Sequence, residues 1–145
     1  MNIVLDSNIL MSILISKNGK TCQQFESPAL NNKLFMHVAS IEEIEKHQFK
    51  LIKSSKSSTE EFEASKKELF NKVTIVLYSE IPFEIQDVAY LLVYDIDEDD
   101  AAFVAASIYL EAILWSGDKP LYKGLKNKGF VNIFDGQDID SLINT

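Results

Sequence analysis

Residues 1–8, MNIVLDSN, are the stretch on which the reading of this chain turns. Ile3, Val4 and Leu5 form a short aliphatic run without polar alternation, and the run stops at Asp6. An apolar run of this length closed by a polar turn reads as a strand buried on both faces, as in a parallel sheet. In open α/β sheets, ligands and chemistry gather just beyond the carboxyl ends of the strands. Asp6 stands at that place, with Ser7 and Asn8 leading into the next element.

Outward from this strand the chain alternates. Ile9, Leu10, Ile13 and Leu14 recur at helical spacing over residues 8–16, and Asn18-Gly19 ends the pattern. A short helix is expected over 21–27, stopped near Pro28, then a strand over 34–38 and a helix over 41–53 with Ser40 as N-cap. KSSKSS, residues 53–58, reads as a loop or hinge, and Thr59 as the cap of a helix over 60–72 carrying Phe62, Leu69 and Phe70 on one side. Residues 73–77 are β-branched and strand-like. Pro82 sits in the first turn of a helix whose apolar face is Ile85, Val88, Ala89 and Leu92.

DIDEDD, residues 95–100, precedes a helix over 101–110 that is apolar nearly all round and therefore buried. A strand over 112–115, a helix over 120–128 stopped by Gly129, a strand over 131–134 and a helical end over 138–143 complete the chain. Strands that alternate with helices and lack polar alternation predict one domain over residues 1–145. The expected fold is α/β, a three-layer α/β/α sandwich with a central parallel sheet of about five strands.

Composition narrows the function. The chain has 145 residues, 22 acidic and 14 basic, for a net charge of −8. A basic nucleic-acid-binding face is not what this balance suggests. Every basic residue is lysine, so no bidentate guanidinium clamp on phosphate is available. One cysteine, Cys22, forms no internal disulfide and suits a reducing compartment. No run reaches the ~18 apolar residues of a membrane span, and no basic leader is visible ahead of the first strand. A cytoplasmic protein with no membrane partner is expected.

The carboxylates are placed where strands end. Asp6 ends the first strand, Glu42, Glu43 and Glu45 follow the second, DIDEDD precedes the buried helix, and Asp118 ends the fourth strand in WSGDK. Carboxylates within ~5 Å of one another repel unless a positive charge sits among them. Mg²⁺ or Mn²⁺ takes oxygen ligands of this kind, keeps several waters, and can activate water beside a phosphoryl group. Two histidines and one cysteine speak against zinc. Each acid also has a simpler role. Asp6 would cap a helix, Asp97, Asp99 and Asp100 would cap and complement a helix dipole, and Asp118 would serve a turn beside Gly117. The convergence on one sheet edge is what points to a cation. Lys46, Lys50 and Lys53, like Lys119, Lys123 and Lys126, lie at i, i+4, i+7. They are either solvated helix faces or two banks that meet a polyanion's backbone. Trp115, Phe103, Tyr109 and Phe130 are assigned to the core.

MNIVLDSNIL, residues 1–10, resembles the opening of PIN-domain nucleases, an aliphatic strand ending in D-[ST]-N. Residues 95–130 resemble their distal half: an aspartate, a buried alanine-rich helix, a strand, [ST]-x-D and a short helix. The resemblance spans essentially the whole chain. It implies a metal-dependent ribonuclease using Mg²⁺ or Mn²⁺, often the toxin of a toxin–antitoxin pair. Carried over by position, the family's acids fall on Asp6, Glu43, Asp100 and Asp118, with Asp97 as an auxiliary metal ligand beside Asp6, Asp100 and Asp118. Ser7, Asn8 and Ser116 match the residues that orient those acids. Glu43 is followed by Ile44 as the family's second acid requires, but Ile41, Ile44, Leu51 and Ile52 define a face nearer Glu45, which is the reserve. The implied partners are RNA, met by Lys46, Lys50, Lys119 and Lys123, a small antitoxin laid across the cleft, and a second copy in a homodimer. Two alternatives are a haloacid-dehalogenase-type phosphatase and a catalytically silent binding module. The phosphatase needs a DxD motif, and Asn8 stands where its second acid belongs. A response-regulator receiver needs an acceptor after the third strand, where Tyr78-Ser79-Glu80 stands.

Overall fold

The computed structural model describes residues 1–30 and 33–145. The chain begins with β1 (Asn2–Leu5), α1 (Ser7–Ile15) and α2 (Lys20–Glu26), then a 3₁₀ turn at Pro28–Leu30 and β2 (Lys33–His37). Next come α3 (Val38–Lys46), α4 (Gln48–Ser55), α5 (Thr59–Asn71), β3 (Thr74–Val76), a 3₁₀ turn at Tyr78–Glu80 and α6 (Phe83–Val93). A 3₁₀ turn at Glu98–Asp100 leads into α7 (Ala101–Tyr109), β4 (Ile113–Trp115), α8 (Lys119–Asn127), β5 (Ile133–Phe134) and α9 (Gly136–Ile143). All pairings are parallel and the sheet order is β3-β2-β1-β4-β5. β1 is therefore central, and its aliphatic run is explained by burial on both faces.

Alternation within the strands feeds two cores. Ile3, Leu5, Met36 and Trp115 pack with α1, α2, α4, α5 and α9 on one face. Val4, Val76, Leu114 and Ile133 pack with α6, α7 and α8 on the other. Helices on both faces of a parallel sheet make the expected three-layer α/β/α sandwich. Val104, Ala105 and Ala106 of α7 are almost wholly buried, as the apolar composition of that helix requires.

Several local expectations are corrected. Ser40 is not an N-cap. The helix starts at Val38, and the His37 ring caps it by accepting the Ala39 N–H at 3.0 Å. The helix expected over 41–53 is two helices that meet at His47, and both pack on α1. Residues 53–58 are not all loop, because α4 runs to Ser55 and Lys56 terminates it in the left-handed region with φ 57°. Ser58, not Thr59, caps α5: its hydroxyl accepts the Glu61 N–H at 3.1 Å, and the Glu61 carboxylate accepts the Ser58 N–H at 2.9 Å. This capping box satisfies two backbone donors that the helix itself leaves free. On α6, Ala89 and Val93 are buried while Val88 is half exposed, so the face turns slightly from the expected one. Among the described residues, no helix is long and apolar enough to cross a membrane.

Candidate functional site

The strand order reverses direction at β1. From there the chain moves outward through β2 and β3, then returns to place β4 on the other side of β1. A crevice opens at such a switch point, beyond the carboxyl ends of the two strands that flank it. β1 and β4 pair with Leu5 opposite Trp115, which brings Asp6 beside Ser116. The Asp6 backbone N–H donates to the Trp115 carbonyl at 3.0 Å. Its carboxylate, 3% exposed, accepts the Ser7 N–H at 2.7 Å and the Ser116 hydroxyl at 2.6 Å. One oxygen caps α1, the simpler role foreseen for Asp6, and the other is held by Ser116.

Ser116 is itself buried, and its hydroxyl accepts the Asp118 N–H at 3.1 Å. The Asn8 side-chain carbonyl accepts the Gly117 N–H at 3.0 Å, tying the start of α1 to the turn after β4. Asp118 caps α8 by accepting the Leu121 N–H at 3.0 Å and remains partly exposed. On the other flank, the Ser7 hydroxyl meets the Ser40 hydroxyl at 2.8 Å, which fixes α3 against α1. Glu43 lies one turn further along α3 and is half buried, whereas Glu42 and Glu45 are exposed.

Asp100 occupies the turn before α7. Its side chain makes no capping bond, it is 9% exposed, and its Oδ2 is buried without a hydrogen-bond partner. Asp97 is exposed and accepts the Asp99 N–H at 3.0 Å, so it also caps the Glu98–Asp100 turn.

The electrostatics tie these acids into one group. Burial pushes the Asp100 carboxyl up to about 8, and the charges of Asp6, Asp97, Asp118 and Glu43 add to the rise. Burial also lifts Asp6 to about 6; its hydrogen bonds from Ser116 and Ser7 oppose the rise, while Glu43 and Asp118 add to it. Glu43 is raised by burial, pulled back by the Ser7 hydroxyl and His47, and raised again by Asp99 and Asp97. Thus Asp6, Glu43, Asp97, Asp100 and Asp118 share one field of like charge.

A divalent cation is the group such a field would hold. Among the described residues, no three His, Cys, Asp or Glu side chains come close enough to hold an ion by direct bonds alone. The donor set is all oxygen, and the buried Oδ2 of Asp100 has no donor. It therefore suits a hard cation that keeps much of its water, as Mg²⁺ does, and does not suit a dry chelate.

Lys119 and Lys123 are exposed and line a cavity of about 360 Å³ with Asp118, Tyr122 and Asp135. Lys126 turns away, donating to the Val131 carbonyl at 3.1 Å and lying over the Tyr122 ring. Lys46 and Lys50 are exposed but fall on different helices, separated by the break at His47. The row expected of one continuous helix is therefore interrupted. Sequence reasoning missed His37 and Ser40 as members of this neighbourhood. Their only local signal was that of polar residues at the end of an apolar strand.

The model of the PIN domain matches residues 4–134. No curated protein matches the chain. In fold, the chain is similar to a chain of the crystal structure of VapBC2 from Rickettsia felis bound to a DNA fragment from their promoter. The TM-score is 0.61 at 18% identity, and the alignment covers 93% of this chain and 98% of that one.

Proposed function

This chain belongs to the PIN-domain family, and from that premise we propose that it is a divalent-metal-dependent ribonuclease that hydrolyses RNA phosphodiester bonds. The observation that carries the reading is that Asp100, its Oδ2 buried and unpartnered, lies in the field of Asp6, Glu43 and Asp118 about the β1–β4 crevice. Asp6, Asp100 and Asp118, with Asp97 as auxiliary, would hold Mg²⁺ or Mn²⁺, partly through water. When bound, the ion supplies a lowered pKa for water and neutralises charge that develops on the phosphate.

The chain's own residues set up that chemistry. Ser116 and the Ser7 N–H fix both oxygens of Asp6. Asn8 holds Gly117, and with it the turn that presents Asp118. Asp100, held at about 8 first by burial and then by its acidic neighbours, keeps its proton near neutral pH and would release it to bind a cation, whereas Asp6, held at about 6, is mostly ionised there. Lys119 and Lys123 on one bank, and Lys46 and Lys50 on the other, would contact flanking phosphates. The family membership leaves no place for the phosphatase reading.

The assay is cleavage of mixed RNAs with Mg²⁺ or Mn²⁺, beside an EDTA control and folded Asp6→Asn and Asp118→Asn variants. Metal-dependent cleavage that both variants lose is the expected outcome. Cleavage at an unchanged rate in the variants would overturn the assignment, and no cleavage by the wild type would favour a silent binding module.

The fold shared with a chain of VapBC2 supports a role as the toxin of a toxin–antitoxin pair, with a small antitoxin as partner. Phe83, Val88 and Leu91 of α6 are 80%, 50% and 64% exposed, apolar surface suited to that partner or to a homodimer. Sedimentation of the chain alone, and after coexpression with the product of an adjacent small reading frame, tests both.

A further inference from the structure

A second cavity, of about 290 Å³, adjoins the acids and is not used by the cleavage chemistry. The end of β2, the Tyr78–Glu80 turn, α6 and the first turns of α7 enclose it. Its floor is Ala101, Ala102 and Ala105, which follow Asp100 directly, so the cavity and the acidic crevice share the start of α7. Tyr78, on its rim, lies within the field of Glu42 and Glu43.

His37 forms the inner wall and is completely buried. Its Nδ1 accepts the Ala39 N–H, so the ring proton is on Nε2. That Nε2 is buried without a partner. A buried N–H donor without an acceptor carries the full cost of its desolvation unless something occupies the space before it. Tyr78 stands at right angles to the imidazole with ring centroids 4.3 Å apart, and Phe103 closes another side at 6.4 Å. Tyr78 and Tyr90 are 48% and 47% exposed at the rim, where Asp87 adds a carboxylate.

We propose that this cavity is a base subsite, which takes a nucleobase of the RNA strand against Tyr78 and Tyr90, the half-exposed Tyr78 side chain shifting off His37 so that Nε2–H meets the base's acceptor edge. The inference rests on the ribonuclease reading of the neighbouring acids. Tyr78 and Tyr90 both line the cavity and each offers an aromatic side chain on which a flat heterocycle stacks, since every base has a face for such a contact. No lysine lines the cavity among the described residues and Asp87 does, so a phosphate is disfavoured and a base edge carrying both acceptor and N–H donor is favoured. Burial holds the imidazole of His37 at about 4, so it meets a ligand as a neutral donor and not as a cation.

The test uses the whole chain without metal. The four ribonucleosides are added separately, and the ring resonances of His37, Tyr78 and Tyr90 are followed by NMR. Ribose and a short aromatic peptide serve as controls. The proposal expects the nucleosides alone to shift these resonances, and Tyr90→Ala to weaken binding by about 5- to 150-fold, as loss of one stacking ring would. Tyr78→Leu, which keeps an apolar cover over His37, is expected to act in the same direction. Shifts produced equally by ribose, shifts produced only by the peptide, or no shifts at all would each overturn it. The two readings separate cleanly. Nucleoside shifts without RNA cleavage by the wild type would sink the ribonuclease and keep the base site, whereas metal-dependent cleavage without nucleoside shifts would sink the base site alone.

Discussion

Replacing Asp100 with asparagine should make the metal-free protein more stable at pH 8, because the substitution removes a charge the fold opposes. The Asp100 carboxyl is held at about 8 against an ordinary 3.8, first by burial and then by the charges of Asp6, Asp97, Asp118 and Glu43. The folded chain keeps a proton that the unfolded chain releases. Its effect is absent below the ordinary value, grows as pH rises, and is complete above the folded value. Each unit corresponds to about 1.4 kcal/mol, so the interval from about pH 5.5 to about pH 8 carries at most ~3 kcal/mol. Water entering the mouth of the crevice screens part of this, and ~1–3 kcal/mol is the expected loss over that interval. The assay is urea unfolding in EDTA at both ends of the interval, for wild type and Asp100→Asn. The wild type should lose stability toward pH 8 and the variant should lose less, finishing above it. Asp6, held at about 6, leaves the variant a residual slope at the acidic end. A variant that is less stable than wild type at pH 8, or whose slope is unchanged, would refute the reasoning.

Other outcomes follow from the same contacts. Millimolar Mn²⁺ should raise the wild-type midpoint more at pH 8 than at pH 5.5, since protons compete for the same carboxylates, and thermal unfolding of Asp6→Asn should show little of this rise. Ser116→Ala releases Asp6 Oδ2 and the Asp118 N–H together, so RNA cleavage near neutral pH should fall by about 10- to 100-fold. The Asp6 carboxyl should also titrate higher, moving the acidic limb of the pH–rate profile upward. Lys119→Ala with Lys123→Ala should reduce the salt slope of RNA binding by about 1.4, some 0.7 per lost single-strand contact, as read by fluorescence anisotropy across a salt series. Gly129→Ala should cost about 1 kcal/mol in urea unfolding, because Gly129 has φ 84° with nothing within 4 Å of an added Cβ, leaving backbone strain as the whole effect.

Much of the architecture was legible from local pattern. The aliphatic runs at Ile3–Leu5 and Ile113–Trp115 require burial on both faces, and the helices between strands supply it. The elements read least well were those set by single side chains. His37 displaced Ser40 as the cap of α3 because a ring nitrogen two residues back can accept the Ala39 N–H. The bend at His47 and the capping box at Ser58 also escaped periodicity, which reports a helix's apolar face and not where its backbone ends.

Sequence by itself determined that the sheet is parallel, that Asp6 and Asp118 stand at strand ends and that Asp100 opens a buried helix, since each follows from burial along the local chain. Only the tertiary structure decided which of these residues are neighbours. The order β3-β2-β1-β4-β5 seats Ser116 against Asp6, although 110 positions separate them. The Ser7–Ser40 contact fixes the rotation of α3, with Glu43 in the field of the acids and Glu45 exposed. The unpartnered Nε2 of His37 and its cavity likewise exist only where β2, α6 and α7 meet. A local pattern encodes which face of an element is apolar, but contacts between faces are set by strand order and packing angle.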